Sequence, residues 1–124
     1  MATHPQYSPE VWQRFRRPSH AGVLTGPDVA TGEARTPASK AVLRLYLRMG
    51  QDMIQLARFQ ALGCPATIAA GDWLCAWLEG RKPADAADLP ASQMADALAL
   101  APVRRHCAVL AEDALRAALQ KSAA

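Results

Sequence analysis

Residues 41–49 alternate. Leu43, Leu45, Leu47 and Met49 fall on one parity; Val42, Arg44, Tyr46 and Arg48 fall on the other. A period of two belongs to a half-buried β-strand. Gly50-Gln51-Asp52 reads as a turn, and a second strand follows from about Met53 to Leu62. Its alternation slips, with Ile54 and Leu56 even but Ala57, Phe59 and Ala61 odd. A bulge near Leu56 accounts for the slip, because one extra residue moves every later side chain to the other face. Upstream, Gly32 to Pro37 reads as a short strand or extended arm.

The flanking segments read as helices. Ser8 is a good N-cap and Pro9 suits the first helical position, so a short helix starts there and ends before Pro18. Val11, Trp12 and Phe15 form its apolar side. Residues 1–6 are polar and read as a loose N-terminus, and Ser19 to Asp28 is loop punctuated by Gly and Pro. Pro65 opens a second helix with Cys64 as its N-cap; that helix runs to Glu79 and stops at Gly80. Ile68, Gly71, Leu74, Cys75 and Leu78 share one side of it, and Trp73 and Trp77 lie on another, as core or as a docking face. Lys82 to Asp88 reads as loop and about Pro90 to Leu98 as a short helix. Pro102 opens the final helix, which runs to about Gln120. There Cys107 shares a stripe with Val103, Leu110 and Ala114, and His106 sits on its rim.

The chain has 124 residues, 51% of them hydrophobic and 20% charged. That suits one soluble globular domain over residues 1–124. The net charge of +3 is spread over Arg14, Arg16, Arg17, Arg44, Arg48, Arg104 and Arg105. It biases the chain weakly toward acidic partners and is no nucleic-acid signature. No apolar run approaches the ~18–20 residues of a membrane span, and the N-terminus lacks a secretory core. The three cysteines are odd in number and read as free thiols in a reducing cytoplasm.

The cysteines separate by position. Cys64 lies at a helix N-terminus, where free N–H groups and the helix dipole favour a thiolate. Cys75 is eleven residues further along the same helix, about 16 Å away at ~1.5 Å per residue. No metal with bonds of ~2.3 Å holds both. Cys75 therefore reads as a buried small hydrophobe. Cys64, His106 and Cys107 remain, two soft sulfurs and one imidazole at two helix starts. Three such donors with an open fourth position make an exchangeable metal site. Read as a nucleophile and its base, Cys64 and His106 lack a third orienting residue. Each donor also has a plain structural reading, as a small buried side chain or a hydrogen-bonded imidazole.

Gly63-Cys64-Pro65-Ala66-Thr67-Ile68-Ala69-Ala70 resembles the second cysteine motif of the IscU/NifU N-terminal family of iron–sulfur scaffolds. Leu100-Ala101-Pro102-Val103-Arg104-Arg105-His106-Cys107, continuing to Ala114, resembles the third. Tyr7 to Pro18 resembles the N-terminal helix of that family, and Ala57-Arg58-Phe59 also matches. The resemblance covers nearly the whole chain. It implies an α+β fold, a small three-stranded antiparallel sheet with four to five helices packed on it. It implies a scaffold, not an enzyme, that assembles a [2Fe–2S] cluster with sulfur from a cysteine desulfurase. It also implies an Hsp70-type chaperone system reading Leu100, Ala101, Pro102, Val103 and Arg104, and apo iron–sulfur client proteins as recipients. The absence of a long insertion between Glu79 and Pro90 resembles the IscU/NifU branch, not the zinc-containing SufU branch.

One motif departs from the pattern. Where the family has a cysteine after proline and an aspartate two residues later, this chain reads Thr36-Pro37-Ala38-Ser39-Lys40. Alanine offers no donor, and a cation stands in place of an acid. A standard single-chain cluster site needs four protein ligands; this chain offers Cys64, His106 and Cys107. Ser39 and Lys40 are candidate auxiliaries, Lys40 by offsetting thiolate charge. Two readings follow. In the first, an incomplete Cys/His/Cys set binds iron, a [2Fe–2S] cluster or a single metal such as zinc. In the second, the chain builds no cluster and acts as an adaptor or regulator by docking a desulfurase or chaperone through Trp73, Trp77, Arg104 and Arg105.

Overall fold

The alternating run folds as the middle strand of a sheet. A computed structural model describes residues 7–37 and 40–123, with side chains to Lys121. Its described elements are α1 (Pro9–Arg16), β1 (Val29–Thr36), β2 (Ala41–Gly50), β3 (Met53–Leu62), α2 (Pro65–Leu78), α3 (Pro83–Ala86), α4 (Ala91–Ala97) and α5 (His106–Ala123). The sheet order is β1-β2-β3, antiparallel throughout. Leu43, Leu45 and Leu47 are fully buried, as the period of two requires. They face α2 and α5, which cover one side of the sheet.

The register shift lies between Arg48↔Leu56 and Met49↔Ile54. Gln55 is thus the extra residue, one place before Leu56, and it explains the slip in parity. Gln51 and Asp52, both left-handed with φ of 53° and 63°, form a two-residue hairpin turn. Residues 20–22 add a short parallel stretch to the free edge of β3. Gly22 N–H donates to Phe59 C=O at 2.9 Å, and Phe59 N–H donates to His20 C=O at 3.1 Å.

Three expectations need correction. The first strand begins at Val29, three residues before Gly32. Gly32 sits inside the strand because α5 crosses there; a Cβ at this position would collide with the backbone of Ala114 and Ala118. A glycine in a strand interior marks such close approach. The Lys82–Asp88 segment holds the single helical turn α3, opened by Pro83. Finally, Pro102 opens only a 3₁₀ turn, Pro102–Arg104, and α5 starts at His106. Val103 therefore leaves the stripe of Cys107, Leu110 and Ala114 and is 70% exposed.

One buried polar network sets how α1 sits on α2. Asp72 of α2 is 1% exposed. It accepts Arg14 Nη1 at 2.8 Å and the His20 backbone N–H at 2.9 Å. Glu79 closes the same helix, accepting Ala57 N–H at 3.0 Å and Arg58 Nη1 at 2.9 Å. His20 stands between the two carboxylates, with Nδ1 at 3.4 Å from Asp72 and Nε2 at 3.2 Å from Glu79. A buried carboxylate is tolerated only when paired this way. Ser8 caps α1, taking Val11 N–H at 3.1 Å and donating to Leu98 C=O at the end of α4.

Candidate metal centre

Cys64 follows the last residues of β3 as N-cap of α2, with extended backbone and Pro65 behind it. Cys107 is the second residue of α5. Packing of α2 against α5 brings these two helix starts together. The Sγ atoms of Cys64 and Cys107 are 3.8 Å apart. Forty-three residues separate them in the chain. Cys64 is half-buried; Cys107 is 1% exposed. The Cys107 sulfur is not set in hydrocarbon alone. Its polar neighbours are Cys64 Sγ, Thr67 Oγ1 at 3.6 Å and His106 Nε2 at 3.7 Å. Cys75, by contrast, is fully buried and joins the apolar core. Burial, with the carboxylates of Asp72 and Glu79 adding to it, pushes its thiol up and out of the reactive range.

The two close sulfurs divide one proton unequally. The Cys107 S–H donates to Cys64 and, against the cost of burial, brings the Cys64 thiol down to about 4. The Thr67 hydroxyl and the backbone N–H groups of Thr67 and Ala66 favour the same anion. The sulfur makes no formal capping bond, so these amides act as the positive end of the helix dipole. Cys107 shifts the opposite way, raised by its hydrogen bond to Cys64 and then by burial. The surroundings thus favour a thiolate on Cys64 and a thiol on Cys107. A soft cation arriving here meets one ready ligand and displaces one proton to gain the second.

Two residues at the site were not singled out by sequence. Thr67, one turn into α2 and 1% exposed, touches both sulfurs at 3.6 Å. A hydroxyl three residues after a helix-capping cysteine points back over the helix start, which is the signal that was available. Tyr7 arrives from the other end of the chain. Its ring lies edge-on to Trp12 with centroids 5.4 Å apart, and the Arg104 guanidinium lies 5.2 Å above it. Its phenol is hydrogen-bonded to Cys64; burial, then the sulfur's charge, raise its pKa.

The remaining expected residues fall less tightly. His106 is exposed, reaching Cys107 but standing at the rim. Among the described residues no group of three His, Cys, Asp or Glu side chains encloses a metal. The two sulfurs are the tight pair, and the imidazole is a neighbour. Lys40 is exposed and left-handed, with φ of 57°. Ala38 and Ser39 lie outside the described residues. Trp73 and Trp77 stack with centroids 6.3 Å apart, half-buried against the core, and Arg81 lies 3.9 Å above Trp77.

The family model described as the NifU-like N terminal domain matches residues 6–124. The chain belongs to this family. It is 38% identical over 117 residues to the iron–sulfur cluster assembly scaffold protein IscU of Azotobacter vinelandii, covering 92% of this chain and 91% of that one. The IscU scaffold protein of Rickettsia prowazekii is 34% identical, with 91% and 88% covered. The crystal structure of a nitrogen-fixing NifU-like protein, N-terminal, from Brucella abortus superposes with a TM-score of 0.75. That match covers 95% of this chain and 94% of the other at 17% identity, a likeness of fold. The Azotobacter vinelandii and Rickettsia prowazekii relatives are both named as iron–sulfur cluster assembly scaffolds. No described helix is long and apolar enough to cross a membrane.

Proposed function

We propose that this protein is an iron–sulfur cluster assembly scaffold whose metal-holding core is the Cys64/Cys107 pair, with His106 as a third donor at the rim. The observation that carries this is the sulfur separation of 3.8 Å. Two bonds of about 2.3 Å meeting at a tetrahedral angle of about 109° put their sulfurs about 3.8 Å apart. The pair is thus already at the bite of one tetrahedral iron. A thiolate on Cys64 supplies the first bond without a proton to remove, and Thr67 and Tyr7 steady it until iron arrives. Cys107 follows with loss of its proton. Its cargo in this reading is iron or a [2Fe–2S] cluster. Zinc fits the same sulfurs and is the competing metal.

In this reading sulfur would come from a cysteine desulfurase, and the product would pass to apo iron–sulfur proteins. The segment Leu100–Arg104 suits an Hsp70-type chaperone contact: Leu100 is anchored in the core, while Pro102 and Val103 stand exposed on the 3₁₀ turn. Anaerobic reconstitution with iron and sulfide tests the reading. The expected result is a coloured protein whose visible bands vanish in Cys64→Ala and Cys107→Ala and persist in Cys75→Ala. A colourless wild-type protein that still binds a desulfurase would leave only an adaptor role.

A further inference from the structure

The two edges of the sheet are finished differently. Outward along β3, Ile54 exchanges bonds with Gly80 and Arg81, and Phe59 exchanges bonds with His20 and Gly22. Between them the Ala57 N–H goes to Glu79 and the Ala57 C=O accepts Arg58 Nη1. That edge is sealed. The other edge is β1. Met49 N–H donates to Asp28 C=O. In the same register the even-numbered residues of β1 bond to β2, and the odd-numbered ones point away from it. Val29 N–H turns back to Gly26 C=O. Among the described residues, no hydrogen bond reaches the backbone N–H or C=O of Thr31, Glu33 or Arg35.

A bare row of this kind is a template for one more strand, and proteins usually blunt it with a bulge, a proline or an inward charge. None of these guards β1. Its pairing with β2 runs unbroken from Val29 to Thr36. No proline falls within the strand, and its inner-face residues are Ala30, Gly32 and Ala34. We propose that the β1 edge is a strand-addition site for an extended acidic segment of a partner protein. Main-chain bonds to Thr31, Glu33 and Arg35 would supply the grip, and side chains on alternate faces the selectivity. No part of this uses Cys64 or Cys107, so it stands or falls apart from the scaffold reading.

Sterics select the kind of occupant. The backbone of α5 at Ala114 and Ala118 sits directly on Gly32 of β1. Antiparallel pairing of two β1 strands about a twofold would set both α5 helices on one face. They would lie about one strand spacing, ~4.8 Å, apart, where packed helices need about 8–10 Å. An extended segment brings no helix and avoids the clash. Charge selects an acidic one. Arg35 is 66% exposed and engages Glu33 through Nε alone. Near the other end of the edge, a cavity of about 480 Å³ opens beside Val29, Ala30, Thr31 and Lys121. Asp28 in its wall is held by Arg48 at 3.6 Å, so Lys121 supplies the charge there. Ala30 and Arg35 are five residues apart, and an odd step along a strand changes face. Two acids at that spacing would meet Arg35 on the outer face and Lys121 on the inner one.

The test titrates a synthetic peptide of about eight residues, the length of a strand, into the apo protein. It is built of valine and threonine with two glutamates at the spacing of Ala30 and Arg35. We expect saturable binding, about tenfold tighter than for the same peptide with lysines at those two positions. Amide exchange at Thr31, Glu33 and Arg35 should slow on binding. Arg35→Glu should narrow or reverse the preference between the two peptides. Thr31→Pro removes one outward N–H and spares the β1–β2 ladder, so it should weaken binding several-fold with the melting curve unchanged. Should that variant melt early, a peptide N-methylated on its edge-facing amides replaces it and should not bind. Equal binding of both peptides, binding without protection of those three amides, or no binding at all overturns the inference. So does an apo protein whose mass doubles with concentration as the same three amides become protected, because the occupant is then a second copy.

Discussion

At the scale of single residues, the three cysteines differ in surroundings, and chemistry should separate them. Cys64 is half-buried with its thiol brought down to about 4, whereas Cys75 is fully buried and raised. Iodoacetamide at pH 6 should therefore modify Cys64 at least tenfold faster than Cys75, which should label only on unfolding; peptide mapping against time decides it. Thr67→Val removes a hydroxyl that favours the Cys64 anion, so labelling at pH 5 should slow several-fold, while loss of the Thr67 hydroxyl changes little at pH 8. The sequence made Cys75 legible as core, because eleven residues of helix exceed any metal's reach. It made Cys64 and Cys107 legible as donors but not as a chelating pair, since their distance depends on how α2 and α5 pack. Tyr7 was illegible for the same reason: it precedes Cys64 by 57 residues and reaches it only because α1 lies across α2, whereas Thr67 had a local signal in its spacing from Cys64.

At the scale of elements, the packing of α5 on β1 rests on one missing side chain. Gly32→Ala would force a methyl into the backbone of α5, and it should cost about 2–3 kcal/mol or more in urea unfolding, as overpacking against backbone does. At the other edge, Glu79 ties the end of α2 to β3. Burial pushes its carboxyl up, but the Ala57 N–H, Arg58 and His20 outweigh that and hold it below the usual glutamate range. A depressed carboxyl stabilises the fold above its unfolded pKa and loses that contribution as pH falls through its folded one. Glu79→Gln should thus lower stability by about 1–2 kcal/mol at pH 7, with the gap to wild type closing toward pH 3; melting curves across that range are the check. The β2–β3 hairpin was legible because alternation and its slip survive in the pattern of side chains. The start of β1 was hidden by Gly32, which weakens a strand signal while serving α5. The 3₁₀ turn at Pro102–Arg104 was hidden because proline opens both kinds of helix equally well.

At the scale of the whole molecule, sheet and helices bring two distant thiols to one corner, and the segment after Pro37 is where this chain departs from the scaffold pattern. Restoring donors there should change how it loads. Ala38→Cys with Lys40→Asp should raise the amount of cluster that survives desalting several-fold, read as iron and sulfide per chain. The fold class was legible from the strand pattern and the motif order, since both depend on sequence neighbours. The chelating geometry was not, since it arises only when the two helix starts meet. The most direct test of the central claim is X-ray absorption at the iron edge of the loaded protein. The account predicts a sulfur shell at about 2.3 Å that gives way to lighter scatterers in Cys64→Ser and Cys107→Ser. An iron environment unchanged by both substitutions would contradict it.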